Sequence, residues 1–182
     1  MNRFYIAAAL VAPAAMLVEH LLARRAQIRA YRFEDTVTNV SSFAGELVLT
    51  ALLKLNVFAA YAWLVDRVAL VRLDARSWLV WVLAFLMVDF VYYVGHRVCH
   101  RVAAMWALHT VHHQSGEYNL GVGMRGPWLS ALQIAPFILP IAVLGFPPSV
   151  LFPVYAFSTV YKLAVHTKLI GDLGILGRVL VS

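Results

Sequence analysis

Hydrophobic and polar positions in this chain segregate into long apolar runs joined by short polar connections. Residues 4–22 are apolar apart from Glu19 and His20, and Arg24, Arg25, Arg29 and Arg32 follow closely. Residues 30–42 read as a polar connector, in which Asp35, Thr36, Ser41 or Ser42 would cap the next helix. A second apolar run covers about 43–65 and carries Glu46, Lys54 and Asn56. Glu46 and Lys54 fall on neighbouring parts of one helical face, which predicts either an interior polar contact or a lysine packing its stem while reaching for water. Residues 66–77 turn the chain, and Ser77–Val94 forms a third run with Trp78 and Trp81 near its outer end, as an aromatic belt would place them. The segment 96–126 is too polar to span, and Gly121, Gly123, Gly126 and Pro127 end it. Two further runs, 128–146 and 148–165, are joined by Gly145-Phe146-Pro147-Pro148 and predict an antiparallel hairpin. Pro136, Pro140 and Pro153 would kink it, or make it re-enter rather than span. The pattern predicts an all-α, polytopic membrane helical bundle of about 4–5 membrane helices with a histidine-rich cap on one side.

Composition strengthens that reading. Apolar residues make up 62% of the 182 positions, charged residues 13%, and the mean hydropathy is +0.77, which leaves too little polar surface for a soluble fold of this size. The formal charge of +6 raises the question of nucleic acid, but the basic residues gather at the ends of apolar runs rather than along a solvated face. Membrane topology accounts for them, and no nucleic-acid partner is expected. Arg24, Arg25, Arg29, Arg32, Arg97, Arg101, Arg125, Lys162, Lys168 and Arg178 fall on one side, against Arg3, Arg67, Arg72 and Arg76 on the other. Ten against four orients the first side, with six histidines, toward the cytoplasm. The heavier charge behind residues 4–22 argues for a retained anchor rather than a cleaved signal peptide. Cys99 is the single cysteine, so no internal disulfide forms; it is a small buried filler or, less in keeping with free cysteines, a thiolate ligand.

Candidate chemistry concentrates between Asp89 and Asn119, where His96 and His100 form His-x3-His and His109, His112 and His113 form His-x2-His-His. At about 100° per residue, Asp89, Tyr93, His96 and His100 share one helical stripe, so two imidazoles sit one turn apart. His109 with His112 or His113 repeats that relation on a second short helix. Packing gains nothing from five histidines in eighteen residues, and grouped ligands point to a metal. Imidazole suits zinc, copper, iron and nickel, and a set poor in carboxylate and thiolate disfavours calcium, magnesium and structural zinc. Asp89 and Glu117 are candidate acceptors for the other N–H of a ligating ring. His166 returns to the same membrane face and joins the candidates, whereas His20 reads as interfacial or packed.

Asp-x2-Tyr-Tyr-x2-His-Arg-x2-His, then Trp-x2-His-x2-His-His, then Glu-Tyr-Asn resembles the sterol desaturase and fatty acid hydroxylase superfamily. Tyr31-Arg32-x2-Asp35 and His166-Thr167-x-Leu169-Ile170-Gly171-x-Leu173-Gly174 resemble its alkylglycerol monooxygenase-like branch, and the likeness runs from about residue 30 to the end. The apolar run and the arginines behind it make residues 1–29 an N-terminal anchor, and the resemblance implies a hydroxylase-like domain over 30–182. It implies a membrane-bound non-haem diiron oxygenase that uses O2 and a separate electron donor to hydroxylate or desaturate a lipid C–H bond. The iron ligands carried over are His96, His100, His109, His112 and His113, with His166 as companion and Asp89, Tyr93, Glu117 and Asn119 around them. No catalytic acid or base is assigned. Two departures stand out. The family's third box, His-x2-His-His, is expected after the stretch matching Gly171–Val181, beyond Ser182, and Arg101 and Lys168 stand where the branch tends to have acids. The expectation is a C-terminally incomplete domain, inactive as written.

Two competing readings follow from the same residues. A transmembrane haem electron carrier would use axial histidines inside facing spans, whereas these lie at a helix end and beyond it. A catalytically silent membrane module binding lipid or one metal is the other. The Ala-, Val- and Arg-rich composition points to a bacterial inner membrane; the particular lipid is not encoded in any motif.

Overall fold

The computed structural model describes residues 2–171, with side chains from residue 11 onward except those of 12, 50 and 51. Leu173, Gly174, Arg178 and the stretch to Ser182, used above in the motif and the charge count, lie outside the described residues, as does the side chain of Arg3. The described residues form seven α-helices: α1 (Asn2–Arg25), α2 (Phe33–Val68), α3 (Trp78–Cys99), α4 (Ala103–His109), α5 (Leu120–Met124), α6 (Ser130–Ile138) and α7 (Pro148–Ala164). Two 3-10 segments, His112–Gln114 and Leu139–Leu144, complete them.

The connector expected over 30–42 is helical from Phe33, and none of the four proposed caps acts as one. Glu34 and Asp35 occupy the first turn, where the helix dipole favours acids. Thr36 and Thr38 bond back to the carbonyls of Arg32 and Glu34, each at 2.8 Å, so both hydroxyls stay within the helix. Ser42 instead donates to the Gly126 carbonyl at 3.1 Å, and Asp35 reaches Arg125. The helix bends by 47° between Phe33–Leu49 and Leu52–Val68. Lys54 pairs with Glu46 across that bend at 3.7 Å, the interior contact rather than the snorkelling alternative.

The core is built where the second half of α2 (Val57, Tyr61, Val65), α3 (Val80, Ala84, Val88), α6 (Ala131, Ile138) and α7 (Val150, Leu151, Val154) meet. Small side chains at Ala84 and Ala131, both fully buried, let helices approach closely. The hairpin turns at Gly145, whose φ of +74° is the left-handed conformation glycine adopts without strain. A Cβ there would fall 1.8 Å from the Val71 carbonyl oxygen. The tip is fastened to the α2–α3 connection by Leu70 N–H donating to Val143 (2.9 Å), Leu73 N–H to Gly145 (3.2 Å) and the Tyr61 hydroxyl to Phe146 (2.9 Å).

Among the described residues, α3 alone is a single helix long and apolar enough to cross a membrane, and the bent α2 qualifies when its two halves are taken together. The hairpin arms are shorter. Pro136 and Pro140 convert the first into nine α-helical and six 3-10 residues, and the second has 17. At the usual rises both arms run about 25 Å, matched to each other and short of a hydrocarbon core of about 30 Å. Trp78, Leu79, Val82, Leu86 and Phe90 make an exposed apolar stripe along α3. Such a surface is unfavourable in water and natural in lipid.

Candidate metal centre

The ends of α2, α3 and α7 opposite the hairpin tip converge, and the histidines gather there. His96 lies in the last turn of α3, and His100 follows with helical φ and ψ and its N–H on the His96 carbonyl at 3.2 Å. That continuation brings His96 Nε2 and His100 Nε2 to 3.2 Å. His109 ends α4 and His113 lies in the 3-10 turn that follows, with their Nε2 atoms 3.1 Å apart. One ring nitrogen from each of His96, His100, His109 and His113 lies within 4.8 Å of the others. Two nitrogens held at right angles by one metal, each about 2.1 Å away, would lie about 3.0 Å apart, so the spacing suits a shared ion. His109 is the buried member, and Trp106 packs across His100 and His113 at centroid distances of 5.3 and 5.7 Å.

The first histidine of the pair His112-His113 turns to another partner than the second. His112 Nε2 lies 3.3 Å from His166 Nε2, at the end of α7. The approach requires glycine on α5: a Cβ on Gly123 would lie 2.6 Å from Leu163 and 3.3 Å from the His166 ring. His112 Nδ1 is 3.2 Å from the Arg125 carbonyl oxygen, and His166 Nδ1 is 2.6 Å from that of Lys162. A carbonyl only accepts, so each Nδ1 carries the hydrogen and donates it, leaving a lone pair on each Nε2. Two lone pairs facing each other at 3.3 Å repel unless a cation lies against both. A carbonyl behind a ligating imidazole is the usual partner in metal sites.

Burial supports neutral rings. It lowers His109 to about 3, with the neighbouring imidazoles adding to the effect. His112 falls to about 4 by burial and by His166, against the opposing bond to Arg125. His113 and His166 are lowered as well, by burial first. Neutral imidazole is the form that binds metal.

The remaining expected residues sit elsewhere. Asp89 is ion-paired with Lys162 at 3.6 Å. The Tyr93 hydroxyl accepts from Arg97 at 3.3 Å, and the ring stacked on His96 belongs to Tyr92, 5.7 Å between centroids and 24° between planes. Glu117 pairs with Lys168 at 2.8 Å and Arg29 at 3.5 Å; the Lys168 hydrogen bond, ahead of the surrounding positive charge, holds its carboxyl below the usual range. Asn119 caps α5, its side chain accepting from the Val122 N–H at 3.2 Å and donating to the Ala30 carbonyl. Cys99 is buried and takes a hydrogen bond from Gln133 at 2.9 Å, apart from the four-histidine group. His20 packs edge-on against Tyr31. Tyr92 and Trp106 were not singled out because helical spacing alone does not say which aromatic neighbour turns toward a histidine.

The model of the family described as Fatty acid hydroxylase matches residues 81–182, more than half of the chain. The chain belongs to the fatty acid hydroxylase family. Human alkylglycerol monooxygenase is 34% identical to it over 149 residues, 82% of this chain and 33% of that protein. The Xenopus tropicalis protein of the same name is 38% identical over 116 residues, 64% of this chain and 26% of its own. The chain thus spans about a third or less of the length of these curated relatives. No solved structure matches it. These relatives support the alkylglycerol monooxygenase-like branch of the family.

Proposed function

We propose that the chain carries the two-metal core of a membrane oxygenase that hydroxylates or desaturates a lipid C–H bond. The observation that carries this reading is the pair of adjoining histidine groups, one of four convergent imidazoles and one of two rings whose lone pairs are turned toward each other by backbone carbonyls. Iron fits a set of neutral imidazoles without thiolate, and when bound it supplies the activation of O2, with electrons from a separate donor. His96, His100, His109 and His113 would hold one ion, and His112 with His166 would contribute to the second. Trp106 packs against His100 and His113, and Tyr92 stacks on His96, which fixes the orientation of the rings.

A lipid substrate agrees with the surroundings. An apolar cleft of about 490 Å³ opens between α3 and α7, lined by Trp81, Val82, Phe85, Pro153, Val154 and Phe157. Phe85 lies eleven residues before His96 on α3, about 16 Å along the axis, within the reach of an extended alkyl chain. The relatives' names make an alkylglycerol the first lipid to test. The histidines share their end of the bundle with Arg24, Arg25, Arg29 and Arg32, which supports a cytoplasmic placement of the centre in a bacterial inner membrane.

Membranes carrying the protein at its natural full length, supplied with a reductant, 18O2 and an alkylglycerol, should yield lipid containing one 18O if the reaction is hydroxylation, or lipid short of two hydrogens if it is desaturation. Unaltered lipid from iron-loaded protein would overturn the oxygenase reading.

A further inference from the structure

We propose that Asp35 is a positioning residue for the His112–His166 half of the centre, acting through Arg125 to fix the tautomer of His112. The inference rests on the metal reading above only for what the tautomer is for; the positioning itself is a statement about the protein alone.

Arg125 is a buried residue in the loop after α5, and its guanidinium needs partners to be tolerated there. Both come from one face of α2, one turn apart. Arg125 Nη1 lies 3.3 Å from Asp35 Oδ1 and donates to Asn39 Oδ1 at 3.2 Å. The other carboxylate oxygen of Asp35 accepts from the Ser115 hydroxyl, one residue after the 3-10 turn that carries His112 and His113. Asp35 therefore holds the segment 112–125 at both ends. The Gly126 N–H, which shares a peptide plane with the Arg125 carbonyl, is also spent, on the Met124 carbonyl at 2.9 Å. With the Arg125 side chain clamped and the Gly126 N–H bonded, the peptide plane between them is held, and the Arg125 carbonyl oxygen faces His112 Nδ1 at 3.2 Å. The opposite tautomer would set a nitrogen lone pair against that oxygen. A residue on α2 thus decides which nitrogen His112 offers at 3.3 Å from His166, although it touches neither ring.

A purely structural role would close the loop on α2 without selecting a tautomer, and 15N-histidine spectra of the full chain separate the two. In metal-free wild-type protein His112 should appear as the Nδ1–H form. In Asp35→Asn it should become a mixture of tautomers, and Asp35→Glu should restore the single form. Titration with zinc(II) should show the His112–His166 group weakened by about 10–100-fold in Asp35→Asn, as for loss of an outer partner of a ligand, while the four-histidine group is unchanged. A single Nδ1–H tautomer with unchanged zinc affinity in Asp35→Asn overturns the proposal, as does equal weakening of both groups in a folded variant. Should Asp35→Asn lose its helical signal, Asn39→Ala keeps the ion pair and must show the same preferential change, smaller in size; an unchanged His112 there overturns the proposal too. If no metal enters either group of the wild type, the two-metal reading fails, and the tautomer spectra still decide the role of Asp35.

Discussion

A ligating histidine has two nitrogens, and here the one turned away from the centre is as informative as the one turned toward it. Spacing alone allowed His109 to pair with His112 or His113; folding gives His109 to His113 and His112 to His166. The chemistry of the rings was legible because grouped imidazoles have few other uses. Arg125 and Asp35 were not, since ninety positions separate them in sequence and only the return of the loop onto α2 joins them. The lowered histidines set a pH dependence. Burial lowers His109 to about 3 and His112 to about 4 in the folded chain, against 6.5 for an ordinary imidazole. As pH falls below 6.5 the unfolded chain takes up protons that the folded chain refuses, so the stability present above 6.5 declines toward those folded values. Thermal unfolding of the metal-free protein should show its midpoint falling between pH 6.5 and 4, and His109→Gln should flatten that slope. An unchanged slope would mean that His109 is accessible to protons in the fold.

Helices α3 and α7 follow the apolar pattern to within a few residues, because a long apolar run with one polar end has one good way to fold. The start of α2 was missed because its threonines, which also form turns, bond here to the helix's own carbonyls. The first hairpin arm is shorter as an α-helix than its apolar length suggests, since two prolines shift it into 3-10 geometry. The hairpin tip yields a direct test. Gly145→Ala places a methyl group against the Val71 carbonyl in a left-handed turn and should cost about 1–3 kcal/mol of stability in thermal or denaturant unfolding. Within α2, Lys54→Met leaves Glu46 without its cation, although Ser130 still donates to the carboxylate at 2.8 Å. It should destabilise the protein, and Glu46→Gln added to it should recover most of the loss. No recovery in the double variant would show that the pair matters for packing rather than charge.

For the whole molecule, the apolar outer face of α3, the basic residues at one end of the bundle and the histidine groups at that same end form one consistent arrangement. Membership of the fatty acid hydroxylase family agrees with it. Two adjoining metal positions are the central claim, and metal content tests them most directly. Protein reconstituted anaerobically with iron(II) and freed of loose ions should retain about two irons per chain, falling to about one in His166→Ala while the four-histidine group stays filled. Iron no higher than in a variant with His96, His100, His109 and His113 all replaced by alanine would contradict the account.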